Sequence, residues 1–172
     1  MPNQFDNSTI DEIKLNKILE AANFAPTHKK TEPWRFKVFK EDSKEKLGNF
    51  LADKYKSTTE SFSKFRFDKI KQKFTKSSIV IAICMQRDPK ESIPEWEELA
   101  SVSMAVQNMW LMASSLGIGS YWSSPNLMNY FGDHISLVKG EKCLGFFYMG
   151  NYSGEIKQRI PSLFEDKIER FY

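Results

Sequence analysis

Residues that bring metals or activated nucleophiles into an active site are scarce in this 172-residue chain, which holds two histidines, His28 and His134, and two cysteines, Cys84 and Cys143. Acyl transfer by a hydroxyl–imidazole couple would have to use one of those two histidines, and no Gly-x-Ser-x-Gly elbow accompanies either. Two histidines and two separated cysteines make a poor zinc set, and no carboxylate cluster has the spacing of a calcium loop. The cysteines lie in the apolar runs IVIAICM and CLGFFYMG, so they read as buried, reduced thiols. Glycine-rich phosphate loops are missing as well. Gly117 and Gly119 read as a helix stop. No apolar run is long enough to span a membrane, and the start, MPNQFDNSTIDEIK, has neither the basic region nor the apolar core of a secretory signal, so a cytoplasmic protein is expected. The net charge of +3 is too small to argue for nucleic acid by itself.

What the chain does have is aromatic and apolar material: 14% aromatic and 41% hydrophobic residues, enough for one soluble domain over residues 1–172. The pattern predicts a helix from about Asp11 to Phe24, opened by a Thr9/Glu12 capping box and ended by Pro26. Trp34–Phe39 alternates as a half-buried strand, with Trp34 in the core. Residues 41–76 are charged and helical with a break near Ser57–Thr59. Ser78–Met85 is a strand covered on both faces. Glu95–Leu116 is a long helix, apolar almost all round in its later part, and it needs cover on most sides. A second copy of the same helix is one source of that cover. Ser120–Trp122 is extended, Asn126–Phe131 a short helix, and Lys142–Met149 a last strand.

A basic stretch, Lys64, Arg66, Lys69, Lys71, Lys73 and Lys76, is interleaved with Phe62, Phe65, Phe67 and Phe74. Cations and rings of this kind contact phosphates and bases. However, Phe67, Ile70 and Phe74 have the spacing of a core-facing stripe, so the expectation is a solvated amphipathic helix and no nucleic-acid partner. Two other stretches look built for a ligand. One is the donor-rich loop APTHKKTEPWRF between prolines. The other is GIGSYWSSP, which presents an indole beside two hydroxyls. Rings, hydroxyls and ammonium groups together suit a planar, polyanionic cofactor.

The run APTHKKTEPWRF after ILEAANF resembles a segment of the FMN-dependent nitroreductases, in the small bacterial YdjA-like branch. PEWEELASVSMAVQNMWLMASSLGIGSYWSS and CLGFFYMGNYSGE resemble two further segments of that branch, in the same order, so the likeness spans roughly residues 10–156. The resemblance implies an α+β fold with a central antiparallel or mixed sheet flanked by helices (αβα). It implies an intertwined homodimer with FMN at the interface and ping-pong electron transfer from NAD(P)H to nitroaromatics, quinones or related small acceptors. It implies that His28 contacts flavin or phosphate, that Lys29 and Thr31 share its loop, and that Trp122, Ser123 and Ser124 form a second wall. No catalytic side chain, metal or membrane is called for, since the flavin carries the chemistry. Lys29 or Lys30 would lie near the pyrimidine edge of the flavin. The sequence as given begins just beyond the place of the family's usual first helix, whose Arg-Arg-Ser stretch grips the FMN phosphate; either the start lies upstream, or that grip is lost and Lys29, Lys157 or Arg159 partly substitute for it. The alternative expectation is a flavin-free dimeric binding or scaffold protein of the same fold.

Overall fold

Strand β2 (Ile79–Gln86) lies at the centre of the fold because every residue from Ile79 to Met85 is buried. In the computed structural model, which describes residues 5, 6, 8–153 and 160–172, it pairs antiparallel with β1 (Trp34–Phe39) on one side and β4 (Glu141–Gly150) on the other. A fourth strand, β3 (Gly119–Ser123), pairs antiparallel with β4, giving the order β1-β2-β4-β3. Lys157 and Arg159 lie outside the described residues.

The two faces of β2 feed two cores. Ile79, Ile81, Ile83 and Met85 point into a layer with helices α1 (Glu12–Ala21) and α4 (Glu95–Ser115). Val80, Ala82 and Cys84 point the other way, to α2 (Glu41–Thr58), α3 (Lys64–Lys76) and the one-turn α5 (Phe131–His134). This period-two division makes an αβα sandwich. Each fully buried Val or Ile contributes about 1.5–3 kcal/mol. The alternation breaks once on β4. Cys84 faces Cys143 while Ile83 faces Gly145, so Leu144 is bulged out of register. Cys143 thereby joins Phe146 and Tyr148 in the second core. Both cysteines are buried and unbridged, and the thiol–thiol hydrogen bond with Cys143, then burial, pushes the Cys84 thiol up.

Several sequence expectations meet the structure closely. The break between the charged helices falls at residues 59–63, and Trp34 is buried with its indole N–H donating to Asn23 Oδ1 at 3.1 Å. Helix α4 ends in a paired backbone cap: Ile118 N–H donates to the Ala113 carbonyl at 2.9 Å and Gly117 N–H to that of Ser114 at 3.1 Å, with Gly117 at φ +73. Two details differ. The cap of α1 is Asp11, not Thr9: its carboxylate accepts from Ile13 N–H at 2.7 Å, a shorter local reach that wins over the box. On β1, Val38 is exposed and Phe39 is buried in the second core, because an edge strand ending beside α2 has cover only there. Gly48 is the contact point of α2 and α3; a Cβ there would sit 2.7 Å from that of Phe74.

Candidate active site

The Thr27–Thr31 loop is held by its own polar groups and by α4. His28 Nδ1 meets Glu97 Oε2 at 2.5 Å, and Lys29 Nζ donates to the Ser92 carbonyl at 2.8 Å. Thr27 Oγ1 accepts from Glu32 N–H at 3.1 Å and lies 3.2 Å from Thr31 Oγ1. Lys29, Lys30 and Glu32 all have positive φ, at 50, 55 and 42. Three non-glycine residues in the left-handed region within one short loop is strained backbone, and strain of this kind gathers at ligand clamps. A cavity of about 390 Å³ lies where this loop meets Trp96, Glu97, Ala100, Ser101 and Met104.

Trp122 and Ser124 are elsewhere. Trp122 packs on the α1/α4 core, and its indole N–H donates to the Leu144 carbonyl at 3.2 Å. The bulge makes room for it. A Cβ on Gly145, whose φ is +135, would lie 2.5 Å from Trp122 Nε1 and 2.6 Å from the Ser123 carbonyl oxygen. Ser123 is the last residue of β3 and is half-buried. Ser124 then enters a larger cleft of about 760 Å³, walled by Tyr55, Thr58 and Thr59 at the end of α2, by Arg66, Lys69, Ile70 and Lys73 of α3, and by the segment from Ser124 to Tyr130.

The charge of this cleft is one-sided. Among the described residues no carboxylate lines it. Of the cations outside it, Lys54 pairs with Asp133 at 2.7 Å and Lys64 with Asp68 at 2.7 Å, whereas Arg66, Lys69 and Lys73 have no ion pair among the described residues. Burial, and then the charge of Lys69, pull the Lys73 ammonium below its ordinary pKa. A row of cations without opposing carboxylates raises the positive potential inside a cleft. Sequence reasoning weighed these three residues as a nucleic-acid surface and preferred a solvated helix face. Their i, i+3, i+7 spacing already placed them on one side of a helix. What it could not show was that residues 124–130 fold over that side.

Within one chain the two groups of expected residues do not meet. The His28 loop lies on the α4 layer, and the Ser124 cleft on the α2/α3 layer across the sheet. They flank opposite edges, β1 and β3, separated by three strand spacings, or about 14 Å. Among the described residues no group of three metal-ligating side chains occurs, and no helix is long and apolar enough to cross a membrane.

A three-layered α+β domain with a cationic cleft large enough for a ring system is the class that this geometry defines. Residues 3–151 match the model of the nitroreductase family, and the chain belongs to that family, which makes it an oxidoreductase. Two relatives carry NAD(P)H nitroreductase names: YfhC of Bacillus subtilis, 26% identical with 92% of this chain and 84% of the relative covered, and YdjA of Escherichia coli K12, 26% identical over 80% and 75%. The fold matches the nitroreductase-like protein of Bacillus cereus with a TM-score of 0.84 at 26% identity, covering 98% of this chain and 89% of that one. It also matches a Bacteroides fragilis nitroreductase with bound FMN, with a TM-score of 0.71 at 19% identity over 99% and 93%.

Proposed function

We propose that the chain is a cytoplasmic FMN-dependent NAD(P)H oxidoreductase that works as a homodimer and reduces nitroaromatic, quinone or related small acceptors. The observation that carries this is the cleft walled by Arg66, Lys69 and Lys73, which no carboxylate among the described residues opposes. Its donor set fits FMN: cations for the phosphate and the pyrimidine edge, the Ser124 hydroxyl and the Asn126 and Asn129 amides for ring heteroatoms, and Tyr55 and Tyr130 as flat walls. The Thr27–Thr31 loop of a second copy, with His28, Lys29 and Thr31, would close the cleft that the chain's own loop cannot reach.

The dimer reading is supported by α4. Trp96, Leu99, Met104 and Leu111 are exposed along it, Leu111 at 60%, and a helix this apolar on its outer side asks for a partner. When bound, FMN would take a hydride from the nicotinamide and pass reducing equivalents to the acceptor. The chain's own part is binding and charge. Lys69 and Lys73 place positive potential where the reduced ring gathers negative charge. Glu97 fixes the His28 ring, and the Leu144 carbonyl fixes Trp122 and with it the chain entering Ser123 and Ser124. The test is titration of the purified protein with FMN, followed by visible absorbance, then anaerobic addition of NADH or NADPH. The reading predicts a stoichiometric yellow complex that bleaches. A protein that leaves FMN free contradicts it.

A further inference from the structure

We infer that Cys84 and Cys143 form a redox dithiol, in which hydrogen peroxide oxidises Cys143 and Cys84 then closes a disulfide between β2 and β4. This goes beyond the functional reading above and needs no cofactor. The two residues are direct partners in the β2–β4 ladder, and both side chains lie in the second core. Directly opposed Cα atoms of an antiparallel pair are about 4.5–5.5 Å apart, and a disulfide needs about 4.4–6.8 Å. The bridge therefore asks for little backbone movement. Leu144, bulged out of the ladder next to Cys143, gives that strand the slack for what movement is needed.

The surroundings divide the two sulfurs by role. Cys143 keeps 8% of its surface open and Cys84 none, so a water-sized oxidant reaches Cys143 first. The hydrogen bond between the thiols favours the Cys143 thiolate, against burial, and holds Cys84 protonated. The Lys37–Glu141 ion pair beside them, at 2.6 Å, adds opposing charges, so the thiol–thiol contact decides the order. The thiolate is the nucleophile. Cys143 sulfur attacks a peroxide oxygen, the O–O bond breaks, and the departing hydroxide takes up a proton, leaving a sulfenic acid. Cys84 sulfur then attacks Cys143 sulfur. The S–S bond forms, the S–O bond breaks, and the hydroxide that leaves takes the Cys84 proton. Two thiols have given up two electrons, and one hydrogen peroxide has become two waters. Burial suits Cys84, which has to reach only its neighbour. In a reducing compartment the pair rests as thiols, and a dithiol reductant restores it by exchange.

The test treats the reduced full chain with hydrogen peroxide at neutral pH, then unfolds it for thiol counting with a maleimide and for peptide mapping. Wild type should lose both thiols together, yield an intrachain peptide joining Cys84 to Cys143, and regain both thiols with dithiothreitol. Cys84→Ala should stop at a Cys143 sulfenic acid that dimedone traps. Cys143→Ala should slow the loss of Cys84 about tenfold or more, since the remaining thiol is closed off and protonated. Circular dichroism checks that each variant is folded, and the wild-type crosslink depends on neither. Wild type that keeps both thiols, or links them only between chains, overturns the proposal. So does a Cys84 that is oxidised in Cys143→Ala as fast as in wild type. The outcome is the same whether or not the protein binds FMN, so failure here is distinct from failure of the functional reading.

Discussion

Lys73 stands one helical turn from Lys69 on the face of α3 that lines the cleft, and burial together with that neighbouring charge holds its ammonium below the ordinary lysine range. The folded state therefore disfavours the charged form. A lowered lysine pKa means that the penalty is present below the folded pKa and is relieved as pH rises toward the unfolded value. Lys73→Met should raise stability by about 0.2–0.5 kcal/mol, the scale of a like-charge helix pair, while weakening FMN about tenfold or more. In wild type, FMN affinity should fall as pH rises through the depressed Lys73 pKa. Thermal melts and flavin titrations across alkaline pH check both, and unchanged affinity in the variant would exclude Lys73 from the site.

Glu98 is fully buried at the start of α4. It is paired with Arg87 and accepts from Asp88 N–H at 2.8 Å, while Arg87 also donates to the Ile93 carbonyl at 2.8 Å. Glu98→Ala leaves the arginine half-buried without its partner. The expected loss is about 3–5 kcal/mol, a fall in Tm on the order of 10 °C for a domain of this size. Calorimetry decides it.

Gly145→Ala puts a methyl where Trp122 Nε1 and the Ser123 carbonyl already stand, on a backbone at φ +135. The cost should be roughly 2–4 kcal/mol from overpacking and backbone strain. Because the same bulge seats Trp122, the tryptophan emission of the folded variant should shift along with its denaturation midpoint.

Asp88 accepts hydrogen bonds from the Ser92 hydroxyl and backbone and from Lys90 N–H, which hold its carboxyl at about 2. A lowered acid pKa contributes stability that is present above the unfolded value of 3.8 and lost as pH falls through about 2. NMR titration of this carboxyl should show its midpoint near that lower value, and the protection of the Ser92 amide should disappear over the same range. A midpoint at the unfolded value would mean that the turn is not formed in solution.

Much of this architecture was legible in local pattern. β1 runs from Trp34 to Phe39 and α4 stops before Gly117, because alternation, a long apolar run and a glycine in positive φ are signals carried by neighbouring residues. The Leu144 bulge was not legible, since a one-residue slip depends on which strand lies opposite. Nor was the cleft beside Arg66, Lys69 and Lys73, since it comes from residues 124–130 packing over a helix some sixty positions away. The loop residues His28, Lys29 and Thr31 stood out by composition, yet their distance from Ser124 is a property of the sheet order.

The exposed α4 face gives the proposed dimer its own check. Met104→Glu combined with Leu111→Glu puts carboxylates on that apolar face without touching the buried stripe of Val102, Ala105, Val106 and Met109. Light scattering should report a folded monomer, and that monomer should hold no flavin.

Subunit complementation tests the two-chain site most directly. One variant carries Arg66→Gln, Lys69→Gln and Lys73→Gln, spoiling the cleft; the other carries His28→Ala and Lys30→Gln, spoiling the loop. Neither homodimer should retain FMN, but mixed and refolded together they should recover yellow colour up to one flavin per mixed dimer, where an intact cleft meets an intact loop. A mixture as colourless as its two components would contradict a site shared between chains.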